Sequence, residues 1–452
     1  MENIMTVFHE HHPAEAKTAS ATDQTVAALR ALESWKVSGA CTAITADRAM
    51  KLATQAEERA AHGRSLGPLD GMRVVWKDII DQKGQVTTCG SELRKSAPPA
   101  MQDARCVALL EAAGGVSLAR TGLSEFAFSG LGINPHFGTP PSALSETVPL
   151  LPGGSTSGSA VLVAAGLADL GVGTDTSGSI RLPAALNGIY GFKPSSNRYD
   201  RAGVHELSRT LDTVGTLARS FDVLRSADQV LSIQPTPKPD AAKTEILDLS
   251  DSLGPAWGQD VSAAYEAALG RITAAGWTVR PARLKSVDEL RVLTASEGPL
   301  VAIEARRKYA DLLASAQANK IDPMIRARLE QAPVLSDAQY AGYLHKREQL
   351  ISAARAEIGN RLLAFPTVPS LRHSLPVYQN DPDAAQELNA RLLAATMVGS
   401  LLDWPGLAVP LRDAGGRVEG SILLSAASGN DDGLLSQAER LVPALTHPIL
   451  NT

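Results

Sequence analysis

The sequence predicts an α/β fold: a mixed, largely open β-sheet core covered by helices on both faces, with an inserted helical lobe. Three observations predict it. Between residues 105 and 193, short strand-like apolar runs alternate with helix-like ones, the rhythm of a sheet flanked by helices. From residue 263 to 358, helical patterns dominate with little strand signal. Strand character then returns at 361–365 and 420–424, which rejoins the C-terminal part to the sheet.

In chain order, residues 23–35 and 46–61 carry helical periodicity, and Gly63 with the 67–71 stretch ends the second run. MRVVWKDII, residues 72–80, has the β-branched and aromatic content of a buried strand, interrupted by Lys77 and Asp78. A helix over 105–113 stops at Gly114-Gly115, and a strand follows over 116–121. The stretch GLSEFAFSGLGINPHFGTPPS is then a long loop, of the kind that lines sites. Helices over 156–166 and 180–186 alternate with strands over 168–174 and 189–193. Further helices are expected over 263–275, 287–318, 338–358, 388–401 and 433–441, and PTPKP marks a linker within 234–242. The chain therefore divides into an N-terminal helical segment (1–65), the main core (66–235), the helical lobe with its linker (236–360) and the C-terminal part of the core (361–452).

Composition narrows the function. Of 452 residues, 44% are hydrophobic and 20% charged, and 43 basic against 48 acidic side chains leave a net charge of -5. That balance provides no basic footprint for nucleic acid or an anionic membrane, so small-molecule work is expected. Cys41, Cys89 and Cys106 make neither a disulfide framework nor a zinc pattern and read as reduced thiols. His9, His11 and His12 cluster without acidic or cysteine partners at ligand spacing, and read as a polar terminus rather than a metal site. No basic, apolar leader opens the chain and no run reaches the roughly 18 apolar residues of a membrane helix. The expectation is a cytoplasmic protein with neither cofactor nor metal.

Two Gly/Ser/Thr clusters, PGGSTSGS at 152–159 and TDTSGS at 174–179, each run into an Ala-rich helical segment. Backbone N–H groups and hydroxyls gathered at helix entrances bind anions or developing oxyanions. A nucleophilic serine there needs a base. None of the nine histidines lies in a catalytic motif, although His136 sits in the long loop. GRSLG at 63–67 fits G-x-S-x-G but leads from a helix into Pro68, the reverse of a nucleophile elbow. Lys77 is the remaining candidate, since Val74, Val75, Trp76, Ile79 and Ile80 around it imply burial, and burial lowers a lysine pKa. A fall of roughly 3 units, about 4 kcal/mol, would bring it into the range useful to a general base. The residues alone equally allow a strand-end lysine that snorkels to water or pairs with Asp78 or Asp81.

The strings VVWKDIID, PGGSTSGSA and GTDTSGSIRLPAALNGIYGFKP, in that order, closely resemble the amidase signature family. TGLSEFAFSGLGINPHFGTP, SRTLDTVGTLARS, LLAFPTVPS and LLDWPGLAVP extend the resemblance over roughly residues 65 to 445. It implies Lys77 as catalytic base, Ser155 as a bridging serine in a cis peptide, and Ser179 as nucleophile. It further implies an oxyanion hole from the backbone N–H groups of Thr176, Ser177, Gly178 and Ser179, with Ala127 and Ser155 bordering the scissile group. Asp175 and Arg181 would hold the nucleophile loop, although in some members the arginine meets an acidic substrate group. The implied activity is hydrolysis of a small carboxamide, aryl amide or carbamate-like C–N bond through a Ser179 acyl-enzyme. The implied partner is a small amide, carbamate or ester, with a homodimer left open. Two alternatives stand: the A-type glutaminase component of an amidotransferase that delivers ammonia to a charged tRNA, and a non-catalytic scaffold of the same fold. A nucleotide-binding reading fails because GSTSGS has neither G-x-G-x-x-G order nor a P-loop lysine.

Overall fold

The apolar runs read above are deeply buried strands in the computed structural model, which describes residues 20–36, 38–233, 245–254 and 257–446. The strands are β1 (Cys41–Ile44), β2 (Arg73–Lys77), β3 (Val116–Thr121), β4 (Leu170–Asp175), β5 (Tyr190–Lys193) and β6 (Thr213–Ala218), followed by β7 (Ile246–Asp248), β8 (Val279–Pro281), β9 (Leu362–Pro366), β10 (Gly406–Arg412) and β11 (Val418–Ser425). Among the described residues they form one eleven-stranded sheet in the order β1-β3-β2-β4-β6-β5-β10-β11-β9-β7-β8. Pairing is parallel within β3-β2-β4 and β9-β7-β8 and antiparallel elsewhere, so the sheet is mixed as expected.

β3, β4 and β6 are buried along their whole length, which their near-continuous apolar or small residues permit, since helices cover both faces. The helices Ser157–Ala164 and Arg181–Asn187, which follow the two Gly/Ser clusters, are themselves buried, apart from the partly exposed Ala164. The helices Ala21–Lys36 and Ala46–Ala61 pack on each other and cover the β1 and β3 end of the sheet.

Among the departures from expectation, which also include β1 and β6, three concern the helical lobe and the C-terminal strands. The helical pattern expected over 287–318 is divided into Lys285–Glu297, Leu300–Lys308 and Ala310–Leu313, and the first break falls where Gly298 takes φ +93° and Pro299 cannot continue the preceding helix. β7 and β8 lie in the stretch read as helical lobe, and three residues are too few for a strand pattern to show. β10 was not expected around Pro410, yet its pairing with β5 ends at Ala408, so Pro410 faces no β5 acceptor there. The histidines 9, 11 and 12 and the 234–242 linker lie outside the described residues. Among the described residues no helix is long and apolar enough to cross a membrane.

Candidate active site

β2 and β4 run parallel as neighbours, so Lys77 at the end of one and Asp175 at the end of the other reach the same sheet edge. Open α/β sheets place their sites at that edge. The Lys77 side chain is fully buried, and its Nζ donates to Ser155 Oγ and to Thr174 Oγ1, both at 2.8 Å. The neighbouring acids do not neutralise it. Asp78 is held by Arg120 Nη2 at 2.5 Å, while Asp81 takes a hydrogen bond from Thr87 Oγ1 at 2.6 Å and lies 3.2 Å from His205 Nε2. Burial therefore dominates and pushes Lys77 down from 10.5 to about 7, against the weaker upward pull of Asp212 and Asp175. An amine of that kind is neutral in a large fraction near pH 7.

The peptide between Gly154 and Ser155 is cis. Gly154 N donates to Gly130 O at 2.8 Å, and Thr156 N donates to Ser179 O at 3.3 Å, which joins the two Gly/Ser clusters. Ser155 is completely buried, and Ser179 is 6% exposed. Among the described residues, no acceptor meets the backbone N–H groups of Ser177, Gly178 or Ser179. Such free donors in a row can receive an oxyanion.

The turn that carries them is braced from three sides. Thr176 Oγ1 donates to Asp212 Oδ1 at 2.6 Å, and Thr396 Oγ1 donates to Ser177 O at 2.6 Å. Gly178 has φ +147°, and a Cβ there would lie 2.5 Å from Thr396 Oγ1, so the close approach requires glycine. Arg181, 1% exposed, gives Nε and Nη2 to Asp175 at 3.0 and 2.8 Å, and Nη1 to Thr396 O at 3.0 Å. Asp175 also accepts from Ile180 N at 3.1 Å. Burial works against the Asp175 carboxylate, but Arg181, Lys193 and the Ile180 N–H together outweigh it and hold its pKa below the usual range. Each nitrogen of the Arg181 guanidinium thus has a partner within the protein, Nη2 also donating to Ser400 Oγ at 2.7 Å.

Ala127 lies in the 3-10 turn Glu125–Ala127, with φ +61°, next to Phe126 at φ +53°. Left-handed non-glycine residues are uncommon, and here the turn is held externally. Phe126 stacks on Tyr309 at 4.5 Å between ring centroids, and Arg328 donates to Phe128 O. His136 sits 3.4 Å from Glu125 Oε2 and 3.7 Å from Glu92 Oε2, with no contact to Lys77, Ser155 or Ser179. Thr174, Asp212 and Thr396 were missed as site residues. Asp212 stands inside the quoted string SRTLDTVG, whereas Thr396 lies in the helix Pro382–Leu401 with no motif around it. No group of three or more potential metal ligands occurs among the described residues.

Comparison with known proteins gives the family and the fold. The family described as Amidase matches residues 23–435. A 2-amino-5-chloromuconic acid deaminase from Comamonas testosteroni is 31% identical over 374 residues, covering 80% of this chain and 79% of that protein. The A-type component of the glutamyl-tRNA(Gln) amidotransferase from Aromatoleum aromaticum is 29% identical over 448 residues, covering 89% of this chain and 89% of that protein. A crystal structure of an amidase superposes with a TM-score of 0.82 at 26% identity, over 98% of this chain and 99% of that one. A family match over residues 23–435, with a relative 31% identical over most of both chains and a shared fold, shows that this chain belongs to the amidase family and is an amide hydrolase acting on C–N bonds other than peptide bonds.

Proposed function

We propose that the chain hydrolyses a small carboxamide, aryl amide or carbamate-like C–N bond through an acyl-enzyme on Ser179, with Lys77 as base and Ser155 as proton relay. The observation that carries this reading is the buried Lys77 amine, brought to about 7 by burial and 2.8 Å from Ser155 Oγ.

Ser179 Oγ passes its proton to Ser155 Oγ as the Ser155 proton moves to neutral Lys77 Nζ. A hydroxyl both donates and accepts, so serine can carry the proton where alanine cannot. The Ser179 oxygen forms a bond to the carbonyl carbon, and the carbonyl electron pair moves onto oxygen, facing the backbone N–H groups of Thr176, Ser177, Gly178 and Ser179. Collapse breaks the C–N bond, and the leaving amine takes the proton back along the same path. Water then repeats the sequence and releases the acid. Ala127 and Ser155 border the scissile group, while Asp175 and Arg181 hold the turn.

The related 2-amino-5-chloromuconic acid deaminase supports a C–N bond in a small organic acid as the substrate class. The same reading puts the chain in the cytoplasm, which three buried cysteines that form no disulfide among the described residues support. Treating the protein with a fluorophosphonate and mapping the adduct tests the assignment: modification at Ser179 is expected, and modification of another residue in its place overturns it. The long match to an amidotransferase component favours one second reading, a glutaminase that works within a larger complex. Ammonia release from simple amides but not from glutamine rejects it.

A further inference from the structure

The edge that carries Lys77 and Asp175 continues past the active site. β5 ends, β6 begins, β10 begins and β11 ends along it, since Phe192 pairs with Thr216, Lys193 with Gly406, and Gly406 with Ser425. Beyond these strand ends lies a cavity of about 670 Å³, roofed by the helix Asp337–Ile358. That volume falls within the range of roughly 300–1,000 Å³ usual for small-ligand sites. Neither Ser155 nor Ser179 lines it.

Its lining is cationic in a specific way. Arg201, Arg209, Arg347 and Arg355 all face it. Arg201 donates to the main-chain oxygens of Asp212 and Arg209 at 3.1 and 3.2 Å, Arg347 to Leu401 O at 2.8 Å, and Arg355 to Ser428 O at 3.2 Å. These acceptors orient the guanidinium groups without neutralising them. Among the described residues, only Arg347 of the four has a carboxylate within ion-pair distance, Glu348 at 3.7 Å. The other two acids of the lining bond neutral donors rather than these guanidinium groups, so four guanidinium groups face three carboxyl groups. Asp212 accepts from Thr176 Oγ1 at 2.6 Å and Leu207 N at 2.7 Å, and Asp403 accepts from Ser196 N at 2.7 Å and Ser428 Oγ at 2.8 Å. Guanidinium forks match carboxylate and phosphate oxygens bidentately.

We propose that this cavity is a second ligand site, distinct from the catalytic serine, for a compact dianion of the dicarboxylate or phosphate class. It neighbours the catalytic turn through Asp212, whose carboxylate bonds Thr176 on one side while the residue lines the cavity on the other.

Calorimetric titration of the full chain at low salt, with malonate and with inorganic phosphate in separate experiments, tests the site. One saturable site per chain is expected for at least one of the two, and the tighter binder identifies which oxyanion chemistry the cavity takes. Arg209 is exposed and its side chain donates no hydrogen bond among the described residues, so Arg209→Ala leaves folding intact; it weakens binding at least tenfold, and Arg355→Ala does the same. Failure of both anions to saturate overturns the proposal. So does binding of equal affinity in both variants, which would place the anion elsewhere, the oxyanion turn included. The titration reads no turnover, so it stands or falls separately from the role of Ser179.

Discussion

Replacing Lys77 with methionine keeps an unbranched apolar stem and removes the charge, which turns the burial of this side chain into a measurable stability. Burial lowers Lys77 from 10.5 to about 7. A depression of roughly 3.5 units corresponds to about 5 kcal/mol against folding where both states must be protonated. The sign follows from proton binding. Between about pH 7 and 10.5 the unfolded chain holds the lysine proton and the folded one has released it, so this contribution to stability rises with pH. The penalty is full below pH 7 and gone above 10.5. Methionine removes it at every pH, but leaves the Ser155 and Thr174 hydroxyls without the Lys77 partner, at about 1 kcal/mol or more each. Lys77→Met is therefore more stable than wild type by about 1–3 kcal/mol at pH 6, and the advantage shrinks by about 3 kcal/mol on going to pH 9.5. Urea unfolding of both proteins across that range reads the difference, and the titrating groups remote from Lys77 cancel between them. A gap that does not change with pH refutes the claim that burial holds this lysine near neutrality.

Three further outcomes are expected. Thr174→Val removes an acceptor that favours the ammonium form, so the acid limb of kcat/KM moves to lower pH by about one unit; an unmoved limb contradicts the assigned contact. Arg181→Met leaves Asp175 buried without its guanidinium and costs about 3–5 kcal/mol in urea unfolding, and a loss below about 1 kcal/mol would show that the pair does not brace the turn. Gly178→Ala forces a methyl toward Thr396 Oγ1 and displaces the oxyanion donors, lowering kcat about 100-fold or more, whereas an unchanged kcat would remove this turn from the site.

The sheet was legible where apolar runs were long and bounded by glycine, as at β3 and around β4 and β5. It was illegible at β1, β7 and β8, strands of three or four residues that, unlike β5, do not directly follow a helix ending on a glycine cap to mark where they start. β6 lay hidden in TVGTLA, whose small residues suit a strand buried on both faces but do not alternate. In the site, local strings exposed Lys77, the two serine clusters and the Asp175–Arg181 pair. The choice of Lys77 between base and snorkelling lysine depended on the partners of Asp78 and Asp81, Arg120 and His205, which lie 42 and 124 residues away in sequence. Thr396 reaches Ser177 O across 219 residues, and no local pattern announces a contact of that range. The same holds for the cationic cavity, which assembles arginines from the stretch before β6 and from the helix Asp337–Ile358.

The relay from Ser179 through Ser155 to Lys77 is tested most directly by the rate of fluorophosphonate addition to Ser179 as a function of pH. With Lys77 near 7, the wild-type rate rises about tenfold per pH unit on the acid side and levels off above neutrality, while Lys77→Met reacts orders of magnitude more slowly and lacks that limb. A wild-type rate independent of pH between about 5 and 9, or a Lys77→Met rate equal to wild type, contradicts the account.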